Sequence, residues 1–388
     1  MDRKKIFKYY LYGYLNVYYN ATRLLNGKSY KEHQVEHVVN YLHLKKRGAS
    51  FFRAISHILI NLELPIGLFV LFVFFIKSLL LKPFKKRISN IKDFSLIYGL
   101  DGSFSKFVSL LNNADVDTKN LVVVTSPFMN NTSYKKYSNE NILSRVSYLN
   151  MFEAFEDSVR MVFYMNSRYK KNDCFFRSYS YFEFILAAYY FYGLGGSNSV
   201  YFISLIERWA FLFGNLPNRT IFLQHGMMTD IDKNHFLIKI GKADVGYYMN
   251  DAQMKICNKL LFTNIPEAKF LKSMNFSHNE ILKNNGKKNL LLICNYLYHD
   301  IEKTILLKSL DRYDVNLYVK PHPNDNFDFY RDISKTKPLI ILDRDYYPKV
   351  DLVLSYDSSL AIEYENLGVN VIRYTSQNFE NNLEMALS

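Results

Sequence analysis

Cysteine is scarce and scattered. The 388-residue chain has three, Cys174, Cys257 and Cys294, with no C-x-x-C pair among them. That excludes a disulfide framework and a cysteine-built zinc site, and it fits a reducing cytoplasm. The chain also lacks an internal repeat and any long low-complexity tract. Its first residues are basic and tyrosine-rich instead of a short charged patch leading into an apolar run, so no cleaved signal peptide is expected. At 49% apolar and 22% charged, the chain is not broadly disordered. At roughly 150 residues per domain, its length calls for two or three domains.

Acidic residues are sparse in the first quarter. Residues 1–100 hold 17 Lys+Arg against 5 Asp+Glu, whereas the remainder is close to balance, so the net charge of +13 belongs almost entirely to one end. The same quarter carries the strongest apolar run, Ile66–Ile76 extended by Leu79, Leu80 and Leu81. Basic clusters bracket it, at Lys45, Lys46, Arg47 and Arg53 before and Lys82, Lys85, Lys86 and Arg87 after. Leu64–Leu81 is short for a bilayer span and is interrupted by Pro65, Lys77 and Ser78. Positive charge on both flanks gives no inside/outside asymmetry and suits a segment lying in an anionic leaflet. Docking on a membrane surface is the leading reading, with a buried core helix and a true span as alternatives. No nucleic-acid-binding motif accompanies the basic charge, so nucleic acid is not expected as a partner.

Beyond residue 90 the pattern changes to short β-branched or aromatic runs separated by helical stretches, which is the signature of α/β units. Strands are expected at 94–98, 121–125, 160–164, 220–224 and 245–249, with a helix over 199–213. A polar linker follows at 283–289. Further strands are expected at 290–295, 316–320, 339–342, 351–355 and 370–374, and helices near 300–310 and over 359–366. The fold class is therefore α/β, with two doubly wound Rossmann-like domains behind an N-terminal helical, membrane-associating region. The boundaries are 1–90, 91–283 (acceptor domain) and 284–388 (nucleotide-donor domain).

Some local patterns carry little chemistry. His33-Gln-Val-Glu-His37 would put two imidazoles on one helix face, but zinc needs a third ligand, and the stretch reads as a solvated face. Gly193-Leu-Gly-Gly196 follows an apolar helical stretch instead of a strand, so it reads as the loop that ends a helix. Asn-x-Ser/Thr triplets such as Asn218-Arg-Thr220 have no meaning in a cytoplasmic chain.

Three other motifs sit where a strand should end, the edge at which open α/β sheets bind ligands. Thr220–Gln224 runs into His225-Gly226, where the glycine permits a sharp turn and close approach of a substrate. Asn316–Lys320 runs into Pro321-His322-Pro323, and the prolines restrict the direction of the imidazole. A protonated His322 beside Lys320 suits a phosphate and its departing oxygen. Asp351–Ser355 passes into Tyr-Asp357-Ser358-Ser359, which opens a helix whose free N–H groups form an anion site. Asp357 or Ser358 caps that helix, and Glu363 lies within reach of a sugar or ribose hydroxyl.

A His-Gly strand end, then Lys-Pro-His-Pro, then Asp-x-Ser-Ser-x-x-x-Glu resembles the bacterial polysaccharide glycosyltransferases of GT-B fold. These include the capsule Kdo- and sialyl-type transferases, which use CMP-activated sugars, and the CDP-glycerol glycerophosphotransferases. The resemblance covers roughly residues 215–375. It implies that His322 with Pro323 contacts the donor phosphate and that Ser358 and Ser359 hold it, with Glu363 near the nucleotide. It implies His225 as general base. The sialyltransferase branch uses instead a carboxylate in an acidic-acidic-Gly motif, whose nearest counterpart is Leu100-Asp101-Gly102 without the second acid, so Asp101 and Asp230 stand behind His225.

The resulting expectation is an inverting, metal-independent transferase with no cofactor beyond its nucleotide-sugar donor. The acceptor hydroxyl attacks in a cleft between the two domains, and capsule or lipopolysaccharide is the product. A CMP-linked acidic sugar (sialic acid, another nonulosonic acid or Kdo) leads as donor, with a CDP-polyol phosphotransferase and a UDP-sugar 2-epimerase as alternatives. The expected partners are the donor, a glycan or lipid-linked acceptor and an anionic membrane. The expected location is the cytoplasmic face of the bacterial inner membrane, peripheral or monotopic.

Overall fold

The computed structural model describes residues 1–24, 63–85, 87–89, 91, 94–98, 104–114, 116, 118–127, 137–168, 178–196, 198–203, 208–224, 238–271, 286–294, 299–309, 311, 314–322, 327–343, 346–356, 358–374 and 379–387. The chain divides into two compact units, Met1–Lys272 and Ser273–Ser388.

The first unit opens with two long helices, α1 (Arg3–Leu24) and α2 (Glu63–Leu81). It then alternates β1 (Ser95–Tyr98), α3 (Phe104–Asn113), β2 (Leu121–Thr125), β3 (Ser138–Asn141), α4 (Tyr148–Arg168), α5 (Ser178–Gly193), β4 (Ser199–Phe202), α6 (Arg208–Phe213) and β5 (Arg219–Leu223). It ends with β6 (Ile240–Lys242), β7 (Val245–Tyr248), α7 (Asp251–Leu260), β8 (Phe262–Asn264) and β9 (Glu267–Phe270). Seven strands form one sheet in the order β3-β2-β1-β4-β5-β7-β9, and β6 pairs with β8 alone. Every pairing is parallel. Starting in the middle with β1, running out through β2 and β3, then crossing to β4, is a doubly wound topology with its switch point between β1 and β4.

The second unit contains β10 (Lys288–Ile293), α8 (His299–Thr304), β11 (Val315–Lys320), α9 (Asp328–Ser334), β12 (Ile340–Ile341), β13 (Leu352–Ser355), α10 (Ser359–Asn366), β14 (Asn370–Arg373) and α11 (Phe379–Leu387). Its five strands are again all parallel, in the order β12-β11-β10-β13-β14, so the switch point falls between β10 and β13. Central strands read as continuous apolar runs because a parallel sheet is covered on both faces. In β10, Leu290 and Leu292 enter one core cluster and Leu291 and Ile293 the other.

Most expected strands and the helix at 359–366 appear within a residue or two of their predicted ends. Two do not. Residues 160–164 are helical, inside α4, where Met151, Ala154, Ser158, Met161, Val162 and Met165 bury one face at helical spacing. The apolar Met161-Val-Phe-Tyr164 stretch resembles a strand only when cut from that longer period. Residues 199–213 are a strand followed by a short helix, because Val200 and Tyr201 pair between β1 and β5. Gly193–Gly196 ends α5 as expected, with Gly195 and Gly196 at φ 74° and 83°, a conformation that suits glycine.

The described part of residues 1–90 is continuous with the core of the first unit. Ile6, Tyr10, Tyr14, Leu71 and Phe75 belong to the same buried cluster as Leu96, Val122 and Phe222. Polar latches reinforce that packing. Arg3 forks onto Asp157 of α4 with Nε–Oδ2 at 2.6 Å and Nη2–Oδ1 at 2.5 Å. The buried Asn16 side chain pairs with both backbone groups of Ile238 at 3.0 and 2.9 Å. The described helices of residues 1–90 thus belong to the first compact unit, each burying one side against that unit's helices.

A buried ion pair secures the segment after α2. Glu140 on β3 accepts from Arg145 Nε at 2.7 Å and Ser144 Oγ at 2.6 Å, and Arg145 Nη2 also donates to the Ile88 carbonyl at 2.5 Å. The Glu140 side chain has no exposed surface. Removing one partner strands the other, which costs about 3–5 kcal/mol for a buried pair. Glu140→Gln is therefore expected to lower the urea midpoint strongly, and the double replacement Glu140→Leu with Arg145→Leu to recover most of the loss.

Candidate functional site

In both sheets the parallel strands place all their carboxyl ends on one edge, and the expected site residues follow those ends. In the second unit, Lys320 is the last residue of β11, Pro321 is buried behind it and His322 is half-buried one residue further on. Ser358 lies three residues beyond β13 and caps α10, its Oγ accepting from Leu360 N at 3.2 Å. Glu363 is half-buried on the second turn of α10. Between β11 and β13 stands only β10, which at about 4.8 Å per strand separates the two clusters by roughly 10 Å. The start of α10, the positive end of its dipole, thus lies at the switch point, and His322 follows β11, on the far side of β10 from β13. Ser355, at the end of β13, contributes a fully buried hydroxyl with no hydrogen-bond partner.

Lys320 has a different task from the one its spacing suggested. Its side chain is buried, and its ammonium donates to the carbonyls of Asp343 at 2.5 Å and Tyr346 at 2.9 Å. It also lies 4.4 Å from the centre of the Tyr347 ring. The lysine thus clamps the segment after β12 onto the end of β11, which fixes the backbone that delivers Pro321 and His322. Tyr364 of α10 ties the same segment down by donating to Pro348 O at 2.9 Å.

In the first unit the residue before His225 is the anchored one. Gln224 is buried, and its N–H continues the ladder to Tyr247 O at 3.0 Å. Its side chain donates to Gln253 Oε1 at 2.6 Å and accepts from Met249 N at 3.2 Å. Gln253 is in turn held by Asn250, the cap of α7. Asp101, His225, Asp230, Pro323 and Asp357 lie outside the described residues, as do His33, His37 and the side chain of Ser359.

One polar network at the first switch point escaped the reading of the sequence. Tyr98, the last residue of β1, donates to Glu183 of α5 at 2.6 Å, and the Ser126 hydroxyl after β2 also bonds to it. Burial, with Glu183 alongside, holds the Tyr98 phenol well above its ordinary pKa, so it stays a donor. Arg208, which opens α6 after β4, packs its guanidinium 5.1 Å from the Trp209 ring and 5.9 Å from the Tyr10 ring. Its Nε is buried without a hydrogen-bond partner. The available signal was Glu183, the lone acid in the otherwise uncharged helix Ser-Tyr-Ser-Tyr-Phe-Glu-Phe-Ile.

The chain does contain Asp-x-Asp triplets, at 115–117, 230–232 and 343–345, of which only Asp343 is described. Among the described residues no group of three or more His, Cys, Asp or Glu is placed to hold a metal ion. No protein-family model matches the chain, and no curated protein matches it.

The clamp at Lys320 has a measurable signature. Lys320→Met should lower the ligand-free urea stability by about 2–3 kcal/mol, since two carbonyls lose a charged donor. An unchanged midpoint would return the ammonium to ligand binding.

Proposed function

We propose that the chain is an inverting glycosyltransferase that takes a sugar from a nucleotide donor, with a CMP-linked acidic sugar as the preferred class. The carrying observation is the second sheet's carboxyl edge. There the Ser358-capped start of α10 occupies the switch point and the proline-flanked His322 ends the neighbouring region of the same edge. That arrangement suits an anionic leaving group. The positive dipole end at the helix start attracts phosphate, the Ser355 hydroxyl has no hydrogen-bond partner of its own, and a protonated imidazole would stabilise charge as it develops.

In the proposed reaction an acceptor hydroxyl attacks the activated sugar carbon. The bond from that carbon to the phosphate oxygen breaks, and the electron pair leaves with the nucleotide. His225, with Asp101 as the alternative, takes the proton from the attacking hydroxyl. Lys320 acts at one remove, by fixing the backbone that carries His322. GT-B architecture, the surface-polysaccharide acceptor and metal independence are part of the same proposal, which rests on the motif resemblance together with this edge geometry. A CDP-polyol phosphotransferase would use the same edge but attack phosphorus, so donor choice separates the two.

The test is the ligand-induced thermal shift of the purified chain with CMP, CDP, UDP, GDP and ADP, repeated on His322→Ala and Ser358→Ala. At ~100 times its dissociation constant a nucleotide adds about 2.7 kcal/mol. Selective stabilisation by CMP that disappears in both variants is expected, and EDTA should leave the shift intact. Ser358→Ala also removes a helix cap worth about 1 kcal/mol, so the difference with and without nucleotide is the relevant quantity. Stabilisation by CDP alone would transfer the proposal to the polyol branch. No shift with any nucleotide would remove the donor site.

A further inference from the structure

Helix α2 is apolar on both sides, and among the described residues only one side is covered. Its buried stripe, Gly67, Leu71, Phe75 and Ser78, packs on α4 and α5, with the Phe74 ring stacked on Tyr179 at 4.9 Å. The opposite stripe is Phe69, Phe72, Val73 and Leu80, continued by Phe84. Phe69 is 67% exposed, Leu80 66% and Phe84 80%. Of the apolar stretch 22% is buried, by way of that inner stripe.

Helix α4 packs beside α2 and carries further exposed apolar side chains. The Lys82 ammonium lies 5.2 Å over the Tyr148 ring, while Phe75 meets Phe152 at 5.1 Å and Phe155 at 4.5 Å. The two helices therefore run antiparallel, and the first turn of α4 adds exposed Tyr148, Leu149 and Phe152 beside the far end of α2. A soluble monomer rarely leaves so many large apolar side chains together in water.

Charge selects the occupant. Between residues 63 and 87 the sole acid is Glu63, whereas exposed Lys77 and Arg87 lie within and beyond the stripe. Lys77 keeps its ammonium within 6.0 Å of the Phe74 ring, its stem lying along apolar surface as a snorkelling lysine does. A second copy seated by two-fold symmetry would bring this basic rim against itself, but anionic headgroups would neutralise it. A span would require stripping α2 from α4 and α5 and breaking the Lys82 bonds to the Leu143 and Val146 carbonyls.

We propose that the outward faces of α2 and the first turn of α4 together form a monotopic docking surface for an anionic lipid bilayer. The helices lie in the interface with their aromatic side chains among the upper acyl chains. This proposal rests on the α2–α4 face alone and does not depend on the transferase reading.

Flotation of the full chain with sealed vesicles tests it, using phosphatidylglycerol-rich vesicles against pure phosphatidylcholine ones. The chain should float with the anionic vesicles and far less with the zwitterionic ones. Each outward substitution, Phe69→Ser, Phe72→Ser or Leu80→Ser, should lower partitioning roughly tenfold. Lys77→Gln or Arg87→Gln should lower it about fivefold. Leu149→Ser should also reduce it roughly tenfold, and because this side chain is 69% exposed the melting temperature should not move. Unchanged flotation of that α4 variant would overturn the two-helix face. Failure to float, with a concentration-dependent dimer that Phe69→Ser dissociates, would assign the patch to a second copy instead.

Discussion

Parallel pairing is the constraint on which the rest of this structure depends. A parallel strand cannot return through a tight turn, so each pairing needs a crossover, and the crossovers cover both faces of each sheet. This explains why Leu290–Ile293 is apolar without alternation and why its residues divide between two core clusters. It also forces every carboxyl end onto one edge. Once β10 stands between β11 and β13, the segments carrying His322 and Ser358 must emerge about two strand spacings apart. The site geometry is thus a consequence of strand order.

Placement by topology still leaves the loops to be fixed, and buried polar groups do that. Lys320, Gln224 and Tyr98 each stand at or just beyond a strand end, and each commits its polar atoms to neighbouring chain. A buried ammonium is unfavourable unless its donors are used, and the carbonyls of Asp343 and Tyr346 use them. The same burial that makes such a group poor at meeting a ligand makes it a rigid support for the residue beyond it. His322 lies two residues beyond one such clamp, and in sequence His225 directly follows another.

How much of this was legible in the sequence depended on how local the cause was. Strands such as Leu121–Thr125 and the helix at Ser359 declare themselves through short-range composition and a capping serine, so they were readable. Arg160–Tyr164 was not, because five residues cannot separate a strand from one arc of a 21-residue helix. The role of Lys320 was unreadable for a different reason. Lys-Pro-His-Pro gives its chemistry, but its partners lie 23 and 26 residues away and are main-chain carbonyls, which leave no mark on the sequence. Tyr98, Glu183 and Arg208 likewise converge only because β1, α5 and α6 do.

Helix α2 shows the converse, a strong signal with an ambiguous meaning. Hydropathy reports what a segment tolerates but not what covers it, and a uniformly apolar helix has no periodic pattern to reveal a preferred face. The fold breaks that symmetry. Ser78 and Gly67 face inward, where a small side chain permits close approach, and Ser78 satisfies its own hydroxyl on the Phe74 carbonyl at 2.8 Å. The larger Phe69, Phe72 and Leu80 are directed outward. Leu71 and Phe75 fill the buried side, yet equally large side chains also face outward, which burial within this chain does not require. The proposed docking surface would supply a second apolar medium on that side, and the exposed Lys77 and Arg87 suit one that carries negative charge.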